Sequence, residues 1–436
     1  MTAFPKYPSY KPSGVEWLGD VPEHWEISRS RRVFTQRKEL ARKDDQQLSA
    51  TQAYGVIPQA DYEERIGRSV VKISMHLEKR KHVEPDDFVI SMRSFQGGLE
   101  RAWARGAIRS SYTVLEPAIK VAPSYFAYLF KCPQYIGALQ ATGNFIRDGQ
   151  DLTYQNYILV DLPLPPLPEQ ERIGAFLDEK TAEIDRLIAK KQRQIELLDE
   201  QKVILINRAV TRGLHPHAEL QDSGIPWIGP IPKGWSMPSL KHIARLSSGG
   251  TPDRGNLQFW EGGTIPWLKT GEIENNVVFQ SEEKITPKAL RHSAAKVSPK
   301  GTLLMAMYGQ GVTRGRVAIL GINAAYNQAC LAIETGKPAL QEYLFWFFRA
   351  GYRFLRDRGN ETSQMNLNAE AVGGMKVLHP PSNELAGIAR CCQDIEQQIE
   401  LIRQKVESQI QTLQTLRSTL IAHAVTGKIA IPAATA

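Results

Sequence analysis

Two segments of the sequence combine arginine, glutamine and aromatic residues with glycine and serine, a mixture suited to contacts with nucleic acid. The first is Arg93-Ser-Phe-Gln-Gly-Gly-Leu-Glu-Arg101, and the second is Tyr308-Gly-Gln-Gly-Val-Thr-Arg-Gly-Arg316. Arginine and glutamine can hydrogen-bond the edges of guanine and adenine, and small residues let a backbone approach phosphates closely. Ordinary turns between strands have the same composition, so the sequence leaves both interpretations open.

The candidate DNA-contact set also includes neighbouring polar, basic and aromatic residues. In the first half of the chain the candidates are Thr51, Gln52, Tyr54, Lys72, Arg93, Ser94, Gln96, Arg101 and Arg105. In the second half they are Lys269, Thr270, Tyr308, Gln310, Thr313, Arg314 and Arg316.

The sequence offers no recognisable catalytic centre. It lacks a phosphate-binding loop with the spacing G-x-x-x-x-G-K-[ST], and it lacks an Asn-Pro-Pro-Tyr or Asp-Pro-Pro-Tyr box for adenine methylation. The four cysteines match no zinc site and no disulfide framework, and no His/Cys/Asp cluster has metal-ligand spacing. We therefore expect no catalytic residues, no metal site and a protein that is not an enzyme.

The formal net charge of +8 is confined to two parts of the chain. Residues 1–168 carry 22 Lys/Arg against 19 Asp/Glu, and residues 215–381 carry 18 against 13, whereas residues 169–214 and 382–436 are balanced. A polyanion such as DNA would be held where the positive excess lies. The two neutral segments are expected to act as spacers and as surfaces for protein contacts.

The chain contains an internal duplication. Ser13-Gly-Val-Glu-Trp-Leu-Gly-Asp-Val-Pro-Glu-His-Trp25 recurs as Ser223-Gly-Ile-Pro-Trp-Ile-Gly-Pro-Ile-Pro-Lys-Gly-Trp235, at an offset of 210 residues. Leu205-Ile-Asn-Arg-Ala-Val-Thr211 recurs as Leu420-Ile-Ala-His-Ala-Val-Thr426, at an offset of 215. Tryptophan, glycine and proline rarely coincide by chance over such a span, so the two halves of the chain are expected to share one architecture.

Each repeat has a glycine- and proline-rich part followed by a segment typical of one long helix. Short apolar runs broken by glycine pairs predict a mixed α/β domain in the first part. From Glu169 to Arg212, Gly174 is the only glycine or proline, which predicts a continuous helix. We expect an α+β fold with mixed α/β domains at residues 1–165 and 215–380 and long helices at 166–214 and 381–436.

Apolar residues recur at alternating spacings of three and four along both helical segments, which is typical of a coiled-coil seam. A narrow apolar stripe on a long helix must be covered by a partner. We expect the two helices to pack antiparallel and to separate the two domains in a pseudo-two-fold arrangement; packing of each helix on its adjacent domain is the alternative. The predicted seam residues are Leu177, Ile184, Ile188, Ile195, Leu198, Leu205, Ile399, Val406, Ile410, Leu413 and Leu420.

The composition is typical of a globular protein. Hydrophobic residues make up 42% and charged residues 23% of the 436 residues. No apolar run reaches 18 residues, and the first ten residues lack the apolar core of a signal peptide. We therefore expect a cytoplasmic protein without a membrane partner.

Several motifs, taken together, make the sequence resemble the specificity subunits of type I restriction–modification systems over essentially its whole length. The second joint, His379-Pro-Pro-Ser-Asn-Glu384, departs from the fuller motif at the first joint. The matching motifs are Trp17-Leu-Gly-Asp-Val-Pro-Glu-His-Trp25, Trp227-Ile-Gly-Pro-Ile-Pro-Lys-Gly-Trp235, Ser248-Gly-Gly-Thr-Pro252 with Ile265-Pro-Trp-Leu-Lys269, Gly315-Arg-Val-Ala-Ile319 and Leu164-Pro-Pro-Leu-Pro-Glu-Gln170.

The resemblance implies a division of labour between subunits. Each mixed domain would be a target recognition domain that reads one half of a split, asymmetric sequence in double-stranded DNA. The helices would hold the domains apart and dock two modification (methyltransferase) subunits, which carry S-adenosylmethionine. Two restriction subunits would add ATP-driven translocation and magnesium-dependent cleavage, and the chain itself would bind no cofactor.

Three other functions are compatible with parts of the sequence. One is a specificity module of a different restriction architecture, acting on a fused nuclease–methyltransferase. A second is a coiled-coil scaffold that binds no nucleic acid, although the positive excess in both domains argues against it. The third is a nuclease with a dispersed metal site.

Overall fold

A computed structural model of the chain describes residues 4–70, 79–143, 152–308, 313–357 and 367–432. Residue contacts divide the chain into two units. Unit 1 comprises Met1–Gln192 and Glu407–Ala436, and unit 2 comprises Arg193–Val406. Each unit therefore combines one globular segment with parts of both long helices.

The globular segment of unit 1 consists of short strands and short helices. Its strands are β1 Tyr10–Pro12, β2 Asp20–Pro22, β3 Glu26–Ser28, β4 Phe34–Gln36, β5 Leu48–Thr51, β6 Gly55–Pro58, β7 Lys81–Val83, β8 Phe88–Ile90, β9 Glu100–Arg101, β10 Gly106–Ile108, β11 Thr113–Pro117 and β12 Leu162–Leu164. Its helices are α1 Ser30–Val33, α2 Gln59–Ile66, α3 Ser94–Gly97, α4 Pro123–Leu129, α5 Pro133–Ala141 and α6 Tyr154–Tyr157.

A four-stranded antiparallel sheet in the order β4-β11-β8-β9 forms the centre of this segment. The central strand β8 is the apolar run Phe-Val-Ile, and all three of its residues are buried. Phe34 and Phe88 from the sheet pack edge-on with centroids 5.3 Å apart, and Phe126 of α4 lies 5.0 Å from Phe34. Edge-to-face packing of fully buried rings therefore fixes α4 against the sheet.

The globular segment of unit 2 contains two larger sheets. Its strands are β13 Leu220–Asp222, β14 Pro230–Pro232, β15 Arg245–Ser248, β16 Ile265–Leu268, β17 Val277–Val278, β18 Glu283–Ile285, β19 Val297–Ser298, β20 Leu303–Ala306, β21 Val317–Leu320, β22 Ala324–Tyr326 and β23 Cys330–Glu334. Its helices are α8 Pro287–Arg291, α9 Pro338–Ala350, α10 Tyr352–Asp357 and α11 Ala369–Gly374.

A five-stranded sheet in unit 2 has the order β15-β23-β20-β21-β17, and a four-stranded sheet has the order β18-β16-β22-β19. Most pairs are antiparallel, whereas β17 with β21 and β16 with β22 are parallel. Tyr343 and Phe347 of α9 share one buried cluster with Leu303 and Met305 of β20. The mixed α/β expectation is thus confirmed for both segments.

Two long helices complete the fold: α7 spans Leu167–Arg212 and α12 spans Ser382–Val425. Their first residues are 215 positions apart, so the divergent second joint starts its helix at the position equivalent to the first. Gly213 follows α7 with a φ of 72°, and Gly427 follows α12 with a φ of 73°. A left-handed glycine after the last turn is a common helix stop, because glycine adopts this conformation without strain.

The predicted seam residues face inward. All eleven are buried or half-buried, whereas neighbouring apolar residues off the seam are exposed, such as Leu197 and Ile204. In unit 1, Leu177, Ile184 and Leu420 share one buried cluster. The alternating spacing of three and four thus coincides with the less exposed face of both helices.

The helix segments within each unit run antiparallel. In unit 1, the Arg417 guanidinium of α12 lies 2.9 Å from the Asp185 carboxylate of α7. In unit 2, a Cβ placed on Gly213 would lie 3.4 Å from the Glu384 carboxylate, so the end of α7 meets the start of α12. The ends of the helices also pack on the globular segments, which was the alternative interpretation, because Val210 and Leu385 lie in the same cluster as Tyr343.

Among the helices in the described part of the chain, none combines the length and the apolar character that crossing a bilayer requires.

Candidate nucleic-acid interface

Unit 1 carries a groove of about 1100 Å³ with a strongly basic lining. The described residues that line it include four arginines and no carboxylate. Tyrosines and an exposed methionine lie between the arginines. The charged and large side chains of the lining are Arg68, Arg80, Arg93, Arg109, Tyr54, Tyr62, Tyr112 and Met92.

One wall of the groove is the β5–β6 hairpin. The Thr51 hydroxyl donates to the carbonyl of Gly55 (3.1 Å) and accepts from the N–H of Tyr54 (3.0 Å), which closes the turn. Gly55 has a φ of 72°, and a Cβ there would lie 2.5 Å from the carbonyl oxygen of Arg101. The turn therefore requires glycine at this position, both for its conformation and for its close contact with β9.

A second wall is helix α2, which presents aromatic and basic side chains. The rings of Tyr54 and Tyr62 lie 6.3 Å apart in an edge-on arrangement. The guanidinium of Arg65 lies 4.9 Å from the centroid of the Tyr54 ring. Aromatic rings with arginines beside them offer both stacking and charge to a nucleic acid.

The far wall follows the end of β8. Arg93 is exposed, and its carbonyl oxygen accepts a hydrogen bond of 3.2 Å from the side-chain nitrogen of Gln52. Of the predicted contact residues, the groove thus brings together Thr51, Gln52, Tyr54 and Arg93.

Four other predicted residues of this segment do not line the groove. Ser94 is fully buried and accepts a hydrogen bond from the N–H of Ser91, so direct contact between Ser94 and DNA is not supported by its position. Gln96 is exposed outside the groove. Arg101 lies 2.6 Å from the Asp86 carboxylate, and Arg105 lies 2.7 Å from Asp44.

Arg101 and Arg105 each have a further neighbour besides these carboxylates. The Arg101 guanidinium also lies 4.3 Å from the Trp103 ring, and Arg105 has a second carboxylate, Asp45, at 3.4 Å. A phosphate would have to compete with these carboxylates for the same guanidinium protons. Contact of Arg101 and Arg105 with DNA remains a prediction. In the structure, both side chains form ion pairs within the domain.

Sequence reasoning missed Arg68 and Arg109. Both are exposed and follow turn-forming segments, Ile66-Gly67 and the end of β10. The sequence signal that could have identified them is an arginine next to a serine in a turn, as in Arg68-Ser69 and Arg109-Ser110. That signal is weak because solvated turns share it.

The predicted contact residues of unit 2 are mostly engaged with neighbouring groups. Lys269 lies 2.8 Å from Glu282 and 3.0 Å from Glu283, and these hydrogen bonds raise the pKa of Lys269. Thr270 is half-buried and begins a short 3₁₀ turn, Thr270–Glu272.

The remaining predicted residues of unit 2 cluster around β21. Tyr308 packs against the buried core, and Thr313 is half-buried. Arg314 donates to the carbonyl oxygen of Arg356, and Arg316 lies 3.7 Å from Glu274. Gln310, like Lys72 of unit 1, lies outside the described residues. A DNA role for this set remains a prediction.

The part of the chain that the structure describes contains no candidate metal site. There, no group of three or more His, Cys, Asp or Glu side chains could hold a metal ion.

The sequence is similar to a known family of restriction proteins. Residues 232–412 match the model of the "Type I restriction modification DNA specificity domain". The MjaVIII type I restriction enzyme specificity subunit of Methanocaldococcus jannaschii is 23% identical over 423 residues, which span 94% of each chain. The MjaIX specificity subunit of the same organism is 28% identical over 167 residues, 37% of this chain and 38% of that one.

The fold is similar to a solved structure. A chain from a study of complex assembly and conformational transition of the type I R-M system has a TM-score of 0.67, covers 93% of this chain and 98% of its own length, and is 15% identical. This likeness supports the fold, and the sequence matches support the family. Residues 232–412 thus match the DNA specificity domain of type I restriction–modification systems, and the chain as a whole is similar to the specificity subunits of such systems.

Proposed function

We propose that the chain is the non-catalytic subunit that selects the DNA sequence for a type I restriction–modification complex. Each globular segment reads one half of a bipartite, asymmetric target in double-stranded DNA. The observation that carries this proposal is the groove of unit 1, whose described lining brings together four arginines and three tyrosines and contains no carboxylate. Such a lining attracts the phosphate backbone, and its polar side chains can reach base edges.

The bipartite part of the proposal rests on the duplication. Two globular segments with the same arrangement of repeated motifs offer two reading heads, and their divergence suits two different half-sites. Helix α7 has 46 residues, which corresponds to about 69 Å at 1.5 Å per residue. A rigid spacer of this kind sets the number of base pairs left unread between the half-sites.

The helices also supply the docking surface for partner proteins. The face of α7 over residues 183–208 displays apolar side chains that are at least two-fifths exposed: Leu187, Leu197, Val203 and Ile204. Exposed apolar residues rimmed by charges are typical of protein interaction sites. Two modification subunits dock there and provide S-adenosylmethionine chemistry, and two restriction subunits add ATP- and magnesium-dependent activities.

Base-resolution mapping of DNA methylation tests the proposal. The chain is expressed with its modification subunit in a host that lacks both. We expect methylated sites that share two fixed half-sites separated by a gap of constant length and free sequence. A single contiguous motif, or no motif at all, would overturn the proposed function.

A further inference from the structure

We propose that Gln52 reads one base in the half-site of unit 1, with its side-chain oxygen accepting a hydrogen bond from the exocyclic amino group of adenine or cytosine. This inference rests on the proposed function of the groove as a DNA-binding surface. It assigns to one residue a preference that can be measured at one position of the target.

The orientation of the Gln52 amide follows from its hydrogen bond. Its nitrogen Nε2 donates to the carbonyl oxygen of Arg93 over 3.2 Å. A carbonyl oxygen can only accept, so the nitrogen of the amide must face Arg93 and the oxygen Oε1 must face away. Among the residues that the structure describes, Oε1 has no hydrogen-bond partner. Gln52 is exposed and lines the groove, so this acceptor is accessible to a ligand there.

The space for this arrangement is provided by Gly97. A Cβ placed on Gly97 would collide with the Gln52 amide nitrogen and lie 2.7 Å from its Cδ and 3.0 Å from its Cγ. Any residue other than glycine would therefore displace the glutamine side chain. Gly97 leaves space for the Gln52 side chain, and the carbonyl oxygen of Arg93 orients its amide. Because the side chain is already ordered, it loses less conformational entropy when DNA binds.

The chemistry of the major groove then determines the preference. Adenine and cytosine present an amino donor there, whereas guanine presents two acceptors and thymine one acceptor and a methyl group. A glutamine that is free to rotate can offer a donor as well as an acceptor. One of the two amide protons of Gln52 is engaged by Arg93, whereas Oε1 keeps both of its lone pairs and faces away from Arg93, so Gln52 favours adenine or cytosine over guanine or thymine.

The chain contains a matched control. Gln46 is also exposed, and its Nε2 donates to the carbonyl oxygen of Arg105 over 3.1 Å. It is therefore equivalent to Gln52 in residue type and in hydrogen bond. Gln46 does not line the groove.

Methylation mapping of variants tests the inference in the full-length chain with its modification subunit. Gln52→Ala should broaden one position of one half-site, lowering its preference for an amino-bearing base about fivefold to tenfold. Gly97→Ala should broaden the same position, because it displaces the same side chain. Gln46→Ala should leave every position of the target unchanged. In all three variants, the other half-site and the length of the gap should also stay unchanged.

A binding competition supplies a second test, which begins with the unaltered complex. Duplexes are compared in which each adenine or cytosine of this half-site is replaced in turn by a base analogue lacking the amino group. One position should lose about fivefold to tenfold in affinity. In complexes with Gln52→Ala, the analogue at that position should cause no further loss.

The outcomes separate this inference from the proposed function. If the unaltered chain gives no bipartite motif, the proposed function itself fails. If the motif is present but Gln52→Ala and Gly97→Ala leave every position as sharp as Gln46→Ala does, only the role of Gln52 fails. The role of Gln52 would also be overturned if Gln52→Ala broadened the base preference at a position where the unaltered chain selects guanine or thymine.

Discussion

The hydroxyl group of Tyr343 donates a hydrogen bond of 2.8 Å to the carbonyl oxygen of Val210, in the last turn of α7. The same bond occurs in unit 1, where the Tyr125 hydroxyl lies 2.9 Å from the carbonyl oxygen of Val425 in α12. The last carbonyls of a helix have no partner within the helix, so these tyrosines satisfy them. In both units the tyrosine of one repeat secures the helix end of the other repeat.

Removing either hydroxyl should destabilise the unit that contains it. Tyr343→Phe and Tyr125→Phe each leave a buried carbonyl without this donor, and we expect a loss of about 1 to 2 kcal/mol in the free energy of unfolding. Thermal or urea denaturation measures the change. The control is Tyr154→Phe, whose hydroxyl makes no hydrogen bond within the described residues. Equal stability of all three variants would contradict a capping role.

The glycine that follows α12 should tolerate no side chain. A Cβ on Gly427 would collide with the Pro22 ring and lie 3.2 Å from Trp25, two of the residues that recur in the duplicated motif. Gly224 has a similar φ of 69°, with open space around its Cβ position. We expect Gly224→Ala to cost about 1 kcal/mol for backbone strain alone.

Gly427→Ala should cost a further 1 to 3 kcal/mol, roughly, because it adds a steric collision to the same strain. Denaturation of the two variants side by side separates the contact from the conformation. Equal losses in the free energy of unfolding would show that Pro22 and Trp25 shift to accommodate the added methyl group at little cost.

Stability should fall as the pH rises from about 4 to about 7 because of Glu100. Burial raises the pKa of this carboxyl to about 7, against the opposing effect of Lys131 at 2.6 Å. The pKa is lower in the unfolded chain, near 4.3, so the folded state binds the proton more tightly. This contribution to stability is complete below about pH 4 and is lost between about pH 4 and pH 7.

A neutral isostere should remove that loss. Glu100→Gln is expected to unfold with a free energy about 3 to 4 kcal/mol higher than the parent at pH 8, and with the same value at pH 4. Denaturant titrations at the two pH values test this. A variant that is less stable than the parent at pH 8 would show that the Lys131 ion pair outweighs the desolvation of Glu100.

The groove arginines should dominate the salt dependence of DNA binding by unit 1. Replacing Arg68 and Arg109 with alanine should lower the slope of log K against log salt by about 2, since each phosphate contact contributes about 0.9. Replacing Arg101 and Arg105 should change the slope much less, because Asp86 and Asp44 already neutralise them. Titrations between 50 and 200 mM salt, roughly, compare the two double variants. Equal salt slopes for the two double variants would show that DNA does not bind in this groove of unit 1.

The length of the helices should set the gap in the target. Inserting one heptad within residues 177–205 and one in the copy of that region preserves the seam and lengthens the pair by about 10 Å. We expect methylation mapping to show a longer unread gap with both half-sites unchanged. An unchanged gap would mean that the helices do not act as the ruler.

The sequence was sufficient for every feature that depends on local periodicity. Helices α7 and α12 follow from the absence of glycine and proline, and the inward face that contains Leu177, Ile184 and Leu420 follows from its alternating spacing. Turn residues such as Gly55 mark the ends of strands. Such patterns are readable because each residue's role depends on neighbours within one or two turns of the chain.

The basic groove could not be read in this way. Arg101 and Arg109 look alike in sequence, yet Arg101 meets Asp86 at 2.6 Å whereas Arg109 lines the groove. Which arginine is neutralised depends on how strands β8, β9 and β10 come together. Sequence spacing alone carries little information on that arrangement.

By itself, the sequence determined the duplication, the two long helices, their contact face and the location of the positive charge. Only the tertiary structure decided that Tyr125 and Tyr343 secure helix ends of the opposite repeat, and that Gln52 offers an oriented acceptor. The physical reason is range: periodicity acts between neighbours along the chain, whereas Tyr125 and Val425 are 300 positions apart and meet only when the core assembles.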